Sequence, residues 1–155
     1  MAKEIERKFL VTSKKILKEL KGGEKIVQGY LSSVPQRVVR VRVKGEKGFI
    51  TVKGLPKSGG VERYEWEKEI DVQDALELLD LCEESLIKKT RYNIEYGAHI
   101  FEIDVFEGKL DGLVIAELEL SHEDEHYQTP DWLGEEVTGL LQYYNSTLKD
   151  KNGYV

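Results

Sequence analysis

The sequence predicts a mainly antiparallel β protein: an eight-stranded, closed or nearly closed β-barrel enclosing a tunnel, with a few short flanking helices. Three observations predict it. About eight short segments alternate apolar and polar residues with a strand's period of two. They follow one another through short turns, with few helical stretches between them. And nearly every segment carries one apolar face and one charged face, so the charged faces have a common side to converge on.

The chain has 155 residues, enough for one domain with a real core, and residues 1–155 are read as that single domain. Hydrophobic residues make up 40% and charged residues 34%, the balance of a soluble globular chain. No apolar run approaches the roughly 20 residues of a spanning helix, so no membrane partner is expected. The charged N-terminus is unlike a signal peptide. Cys82 is the single cysteine; with no intramolecular disulfide to form, it suits the reducing cytoplasm. Net charge is −6, from 29 acidic and 23 basic residues. That argues against wrapping long nucleic acid, yet leaves room for a local basic site for a compact polyanion.

Residues 1–11 open the chain as a strand with Glu4, Glu6 and Lys8 on one face and Ile5, Arg7 and Phe9 on the other. Carboxylates at i and i+2 stand roughly 7 Å apart. Their repulsion, at an effective dielectric near 20, is about 2 kcal/mol. Such a pair needs good solvation or a positive charge between the acids. Thr12 or Ser13 can cap a short helix over 13–20, ended by Gly22-Gly23. A strand over 25–32 places Gln28, Tyr30 and Ser32 together. The stretch 37–44 sets Arg40, Arg42 and Lys44 against Val39, Val41 and Val43. After a turn at 45–48, the strand 49–53 brings Thr51 and Lys53 to one face.

The Gly- and Pro-rich stretch 54–61 is a loop. In 62–70, Arg63, Glu65, Glu67 and Glu69 oppose Tyr64, Trp66 and Ile70. Asp71 caps a helix over 72–83 whose stripe of Val72, Ala75, Leu76, Leu79 and Cys82 serves packing. A hairpin follows: in 86–96 Lys89, Arg91 and Asn93 face one way, and in 99–106 Glu102 and Asp104 do. The strand 113–120 pairs Glu117 with Glu119. Thr129-Pro130 reads as a helix start, 131–149 as one or two short helices, and the last half-dozen residues as frayed.

The charged faces come in same-sign pairs: Glu4/Glu6, Glu65/Glu67, Glu102/Asp104 and Glu117/Glu119, against Arg40/Arg42 and Lys89/Arg91. An open sheet with a wet face mixes polar residues and sets opposite charges side by side. Repeated like pairs instead suit an interior lined with charge, which is tolerable only where charges are paired or bound to ions. Acids converging from the first and last strands offer an all-oxygen site for Mg²⁺ or Mn²⁺. Converging arginines and lysines suit phosphates, as forks and point charges respectively. A chain of three phosphates, carrying on the order of four charges, matches six or so basic groups.

Glu4-Ile5-Glu6-Arg7-Lys8 resembles the E-x-E-x-K signature of the CYTH superfamily, the triphosphate tunnel metalloenzymes. The likeness runs on through Arg40-Val41-Arg42, Thr51-Val52-Lys53-Gly54, Glu65/Glu67, Lys89-Thr90-Arg91, Asp104, Glu117-Leu118-Glu119, Trp132-Leu133-Gly134 and Glu136-Val137-Thr138. The resemblance implies an eight-stranded antiparallel tunnel and metal-dependent attack on a triphosphate. Its members include inorganic tripolyphosphatases, thiamine triphosphatases, RNA triphosphatases and class IV adenylate cyclases. Similar short bacterial members follow E-V-T with an acidic residue and then Arg-Tyr before asparagine. Here Gly139 to Tyr144 lacks both charges.

On this reading the function is hydrolysis of inorganic tripolyphosphate to pyrophosphate and phosphate. Lys8, Arg40, Arg42, Lys53, Lys89 and Arg91 hold the phosphates, with Tyr30 beside them. Glu4, Glu6, Asp104, Glu117 and Glu119 hold the metal. Glu65 and Glu67 bind a second metal, orient basic side chains, or act as general base. Three other readings stand beside it: conversion of ATP to cyclic AMP and pyrophosphate, hydrolysis of a nucleoside or thiamine triphosphate, and a non-catalytic polyphosphate or nucleotide sensor. His122 and His126 flank an acidic loop with no strand or helix to hold a metal between them, and His99 sits at a turn. No Ser/His/Asp or Cys/His arrangement points to a covalent nucleophile. The Gly-rich loop lacks a P-loop's ending. An apolar outer wall is compatible with a homodimer.

Overall fold

The structure, a computed structural model, describes residues 3–57, 60–83 and 85–148. Strands β1 (Lys3–Leu10), β2 (Glu24–Ser32), β3 (Val38–Lys44), β4 (Lys47–Lys53), β5 (Glu62–Ile70), β6 (Ile87–Tyr96), β7 (His99–Phe106) and β8 (Val114–Glu119) form a closed barrel. The order around it is β1-β5-β4-β3-β2-β6-β7-β8, every pairing antiparallel. Two meanders, β2 to β5 and β6 to β8, meet along β2 and β6, and β1 closes the ring between β5 and β8. The eight alternating segments are therefore the eight staves, and closure leaves only the second half of β1 without a strand partner on its β5 side.

The outward apolar faces are covered by helices. Helix α1 (Lys14–Glu19) begins at Ser13, whose hydroxyl accepts from the Ile16 amide; Ile16 then packs with Ile103, Val114 and Ala116. Helix α2 (Val72–Leu79) is capped by Asp71 and lays Ala75 and Leu79 on Val41, with Val27, Val43 and Ile50 around them. It ends at Leu79, short of the expected 83. Leu76 of the expected stripe is exposed, and Leu78 packs in its place. On β5 the outward Tyr64 and Trp66 remain 48% and 41% exposed, because no helix among the described residues packs on that stave.

The expectation for the C-terminal part is corrected. Thr129-Pro130 starts no helix. Residues 134–138 run extended beside β1, where the Gly134 and Val137 amides donate to the Leu10 and Lys8 carbonyls. A main-chain partner along β1's free edge outcompetes a helix here. Among the described residues of this part, only a 3-10 turn (Leu141–Tyr143) and the one-turn α3 (Asn145–Leu148) are helical. The tail read as frayed lies outside the described residues.

The interior changes character along its length. At one end the inward positions are charged. Toward the other, the same strands turn inward Leu10, Tyr30, Val38, Ile87, Phe106 and Ile115, which pack around the fully buried Leu148. The barrel is thus plugged by an apolar core at that end, and the charged part is a pocket rather than an open bore.

Candidate active site

Period-two geometry turns every second residue of each stave inward, and the antiparallel register sets which side chains face each other. Lys8 lies opposite Glu117, and Glu6 opposite Glu119. Arg40 lies opposite Thr51, Lys53 opposite Glu65, and Arg91 opposite Asp104. The resulting cavity, about 130 Å³, is lined by seven basic side chains: Lys8, Arg40, Arg42, Lys44, Lys53, Arg63 and Arg91. Seven acids complete it: Glu4, Glu6, Glu65, Glu67, Glu102, Glu117 and Glu119. Formal charge is balanced, but not mixed. The acids of β1 and β8 crowd together, while the arginines of β3 stand on the far wall.

The basic wall is held in place by carboxylates. Arg42 donates through Nη2 to Glu67 Oε1 at 3.1 Å, and Arg40 Nη2 donates to Thr51 Oγ1 at 3.2 Å. The Thr51 hydroxyl in turn donates to Glu67 at 2.8 Å. Lys53 Nζ stands 2.9 Å from Glu4 and 3.4 Å from Glu65. Burial pushes the Glu65 and Glu67 carboxyls up, but Glu4 and Lys53 beside the first, and Arg42 and Thr51 beside the second, bring both below the usual value. These two acids stay ionised and orient cations. Burial, joined by neighbouring Arg40, pushes Arg42 down to about 10, still fully charged at neutral pH. Truncating Arg42 to alanine leaves Glu67 to Thr51 and the more distant Arg40 and removes a fork from the wall. The expected result is a rise in KM for the anionic ligand of about 30-fold or more, read from initial rates.

The acidic wall is strained by its own charge. Burial, then Glu117 and Glu4, push Glu6 well above the ordinary carboxyl range. Burial raises Glu4 against the pull of Lys53, and burial with Glu102 raises Glu119. Glu117 moves the other way: burial is outweighed by Lys8, a hydrogen bond from Glu6, and Arg91. Glu6 and Glu117 therefore share a proton. Carboxylates forced together this way suit a hard divalent cation, which removes the repulsion and needs only oxygen donors. Among the described residues no three acids, histidines or cysteines already form a closed cage.

Two residues of the predicted set lie elsewhere. Lys89 and Asp104 do not line the cavity; they pair beneath it, Nζ to Oδ2 at 2.7 Å, with 0% and 1% of their side chains exposed. Arg91 grips the same Asp104 with Nε and Nη2 at 2.7 and 2.9 Å. Burial raises Asp104, but Lys89 and Arg91 outweigh it and hold it ionised. Burial pushes Lys89 down to about 8 despite Asp104, so the pair is ionic at neutral pH. Tyr30 reaches the cavity but is 2% exposed, part of the apolar plug, with its hydroxyl accepting from Gln28. The remaining predicted residues are brought together.

The predicted site set lacks Lys44, Arg63, Glu102 and Tyr144 of the lining and Thr51 behind it. Arg63 shares strand parity with Glu65 and Glu67, so the signal was present. Tyr144 comes from a segment without periodicity and could not be found that way. This segment docks without the two absent charges: Lys8 Nζ donates to the Tyr143 carbonyl at 3.5 Å, and Tyr144 lies beside Lys8 and Arg63. His122 and His126 are exposed, and His99 pairs with Glu125 at 2.6 Å on the surface.

A closed antiparallel barrel whose one end presents a basic wall facing a crowded acidic wall defines a protein that takes a compact polyanion together with a cation. A model of the CYTH domain matches residues 2–153, and the chain belongs to that family. An inorganic triphosphatase of Acetivibrio thermocellus is 46% identical over 155 residues, covering 99% of this chain and 97% of that protein. An inorganic triphosphatase of Nitrosomonas europaea is 37% identical over 153 residues, covering 94% and 95%. A crystal structure of an inorganic triphosphatase superposes with a TM-score of 0.67 at 33% identity, covering 99% of both chains. Membership of this family brings a divalent-metal requirement, which the acidic wall fits. No helix among the described residues is long and apolar enough to cross a membrane.

Proposed function

We propose that this protein hydrolyses inorganic tripolyphosphate to pyrophosphate and phosphate with Mg²⁺ or Mn²⁺ inside the pocket. One observation carries the reading: seven basic side chains, three lysines and four arginines, converge on one small cavity in a barrel plugged at its other end. Phosphate oxygens suit such a set, with arginines as forks and lysines as point charges. The two inorganic triphosphatases that match nearly end to end support the same substrate.

Lys8, Arg40, Arg42, Lys53, Arg63 and Arg91 bind the phosphate chain and offset charge that builds on it in the transition state. Glu4, Glu6, Glu117 and Glu119 hold the cation. Bound there, the cation supplies Lewis-acid polarisation of a phosphoryl group. Water attacks the terminal phosphorus, the bridging P–O bond breaks, and pyrophosphate leaves. Glu65 and Glu67 orient Lys53, Arg40 and Arg42. Asp104 anchors Lys89 and Arg91 from beneath and is a positioning residue, not a metal ligand.

Steady-state phosphate release from tripolyphosphate and from ATP tests the reading, each with Mg²⁺ and with Mn²⁺. The expected result is a higher kcat/KM for tripolyphosphate, lost in Glu4→Gln and Lys8→Ala proteins. Cyclic AMP and pyrophosphate from ATP, without free phosphate, would move the protein to the cyclase branch.

A further inference from the structure

We infer that Tyr144 is a positioning residue of the phosphate site, a wedge that holds the Lys8 and Arg63 side chains apart and turned toward the cavity. The inference rests on the triphosphate reading. The Tyr144 ring centroid lies 5.2 Å from Lys8 Nζ and 5.4 Å from Arg63 Cζ, and all three residues line the same cavity. Each cation is attracted to the ring. The one ring thus stands within reach of two like charges.

Each cation has a carboxylate to turn to. Lys8 stands opposite Glu117, and Arg63 Nε is already 3.6 Å from Glu4. A lysine's four-carbon stem is flexible, and without the ring it is free to fold onto the carboxylate. Arg63 is likewise free to close on Glu4. Both movements spend phosphate-binding charge on the acids that serve the cation. The wedge keeps the two walls apart.

The ring itself is well held. The Thr147 and Leu148 amides both donate to the Tyr144 carbonyl, at 2.9 and 2.8 Å, and Leu148 is buried in the apolar plug. Above it, Gly60 and Gly139 touch so closely that a side-chain carbon on Gly60 would overlap the Gly139 backbone and meet the Tyr144 hydroxyl at 3.4 Å. Both have positive φ, 73° and 77°, which glycine adopts without strain. The loop ahead of β5 and the segment ahead of the tyrosine thus clamp the wedge.

The test uses Tyr144→Ala, Tyr144→Phe and, as a control for general loosening, Leu79→Ala in the distant packing of α2. Tripolyphosphate affinity is measured by calorimetry in chelator, where turnover is excluded, and KM and kcat are measured in Mg²⁺. The alanine variant is expected to raise both Kd and KM about tenfold with kcat within about twofold. The phenylalanine variant, which keeps the ring, stays within about twofold on every constant. Leu79→Ala lowers Tm with KM unchanged. An alanine variant that binds as tightly as the wild type, or tighter, would overturn the inference, the latter by showing that the ring competes with phosphate. A phenylalanine variant as weak as the alanine one would overturn it in favour of the hydroxyl. If the wild type binds tripolyphosphate but does not cleave it, the proposed hydrolysis fails, while the Kd series still decides the wedge. If the wild type does not bind tripolyphosphate, both fall.

Discussion

Glu6→Gln is expected to abolish turnover and yet make the metal-free protein more stable. Glu6 lies opposite Glu119 and shares a proton with Glu117, so in the absence of a cation its charge is an unfavourable one. The sign follows from linkage. A carboxyl whose folded pKa is raised above its ordinary value of 4.5 costs nothing below that value. The cost grows as pH climbs through the folded value and is complete above it. In chelator, the Tm of Glu6→Gln should therefore match the wild type near pH 4.5 and exceed it increasingly toward pH 8. Adding Mg²⁺ should raise the wild-type Tm and reverse the order. The loss in kcat should be at least about 10²-fold, as for removal of a group that organises transition-state charge. A variant less stable than the wild type at every pH, with or without metal, would mean that Glu6 is a structural acid.

Asp104→Asn should act in the opposite sense, by destabilising the fold. Asp104 is the anion that neutralises Lys89, buried with no exposed side-chain surface, and the bidentate partner of Arg91. Removing one member of a buried pair leaves an uncompensated charge, at about 3–5 kcal/mol. Thermal and denaturant melts in chelator read this directly. The deficit should narrow as pH rises to about 8, where wild-type Lys89 itself gives up its proton, and stay level above that. Lys89, already down to about 8, loses its proton in the folded variant more readily than the unfolded chain does. Stability of a group with a depressed amine pKa rises across that window. If Asp104 were instead a metal ligand, the metal-free variant would melt close to the wild type and only the Mg²⁺-induced rise in Tm would vanish.

The contrast between these two acids shows what a sequence can and cannot convey here. Parity along each strand was enough to put Glu6 and Asp104 on inward faces, since a one-residue slip would reverse every face at once. Depth was not legible. Glu6 faces the cavity, while Asp104 lies two residues from the inward Phe106 and next to the apolar plug. Only the stagger of the strands fixes that difference, and stagger leaves no mark in periodicity. For the same reason Lys89 was placed with Arg91 although one is sealed below the pocket and the other lines it. Arg63 needed only the parity already used for Glu65. Tyr144 needed tertiary structure, because the chain from 134 onward follows main-chain bonds to β1 rather than any pattern of its own.

The most direct measurement is phosphorus NMR of tripolyphosphate with Mg²⁺ and the wild-type protein. The account predicts that the central-phosphorus resonance of tripolyphosphate decays while pyrophosphate and orthophosphate grow in equal molar amounts, and that chelator stops the change. An unchanged tripolyphosphate spectrum, or turnover that continues unaltered in chelator, would contradict it.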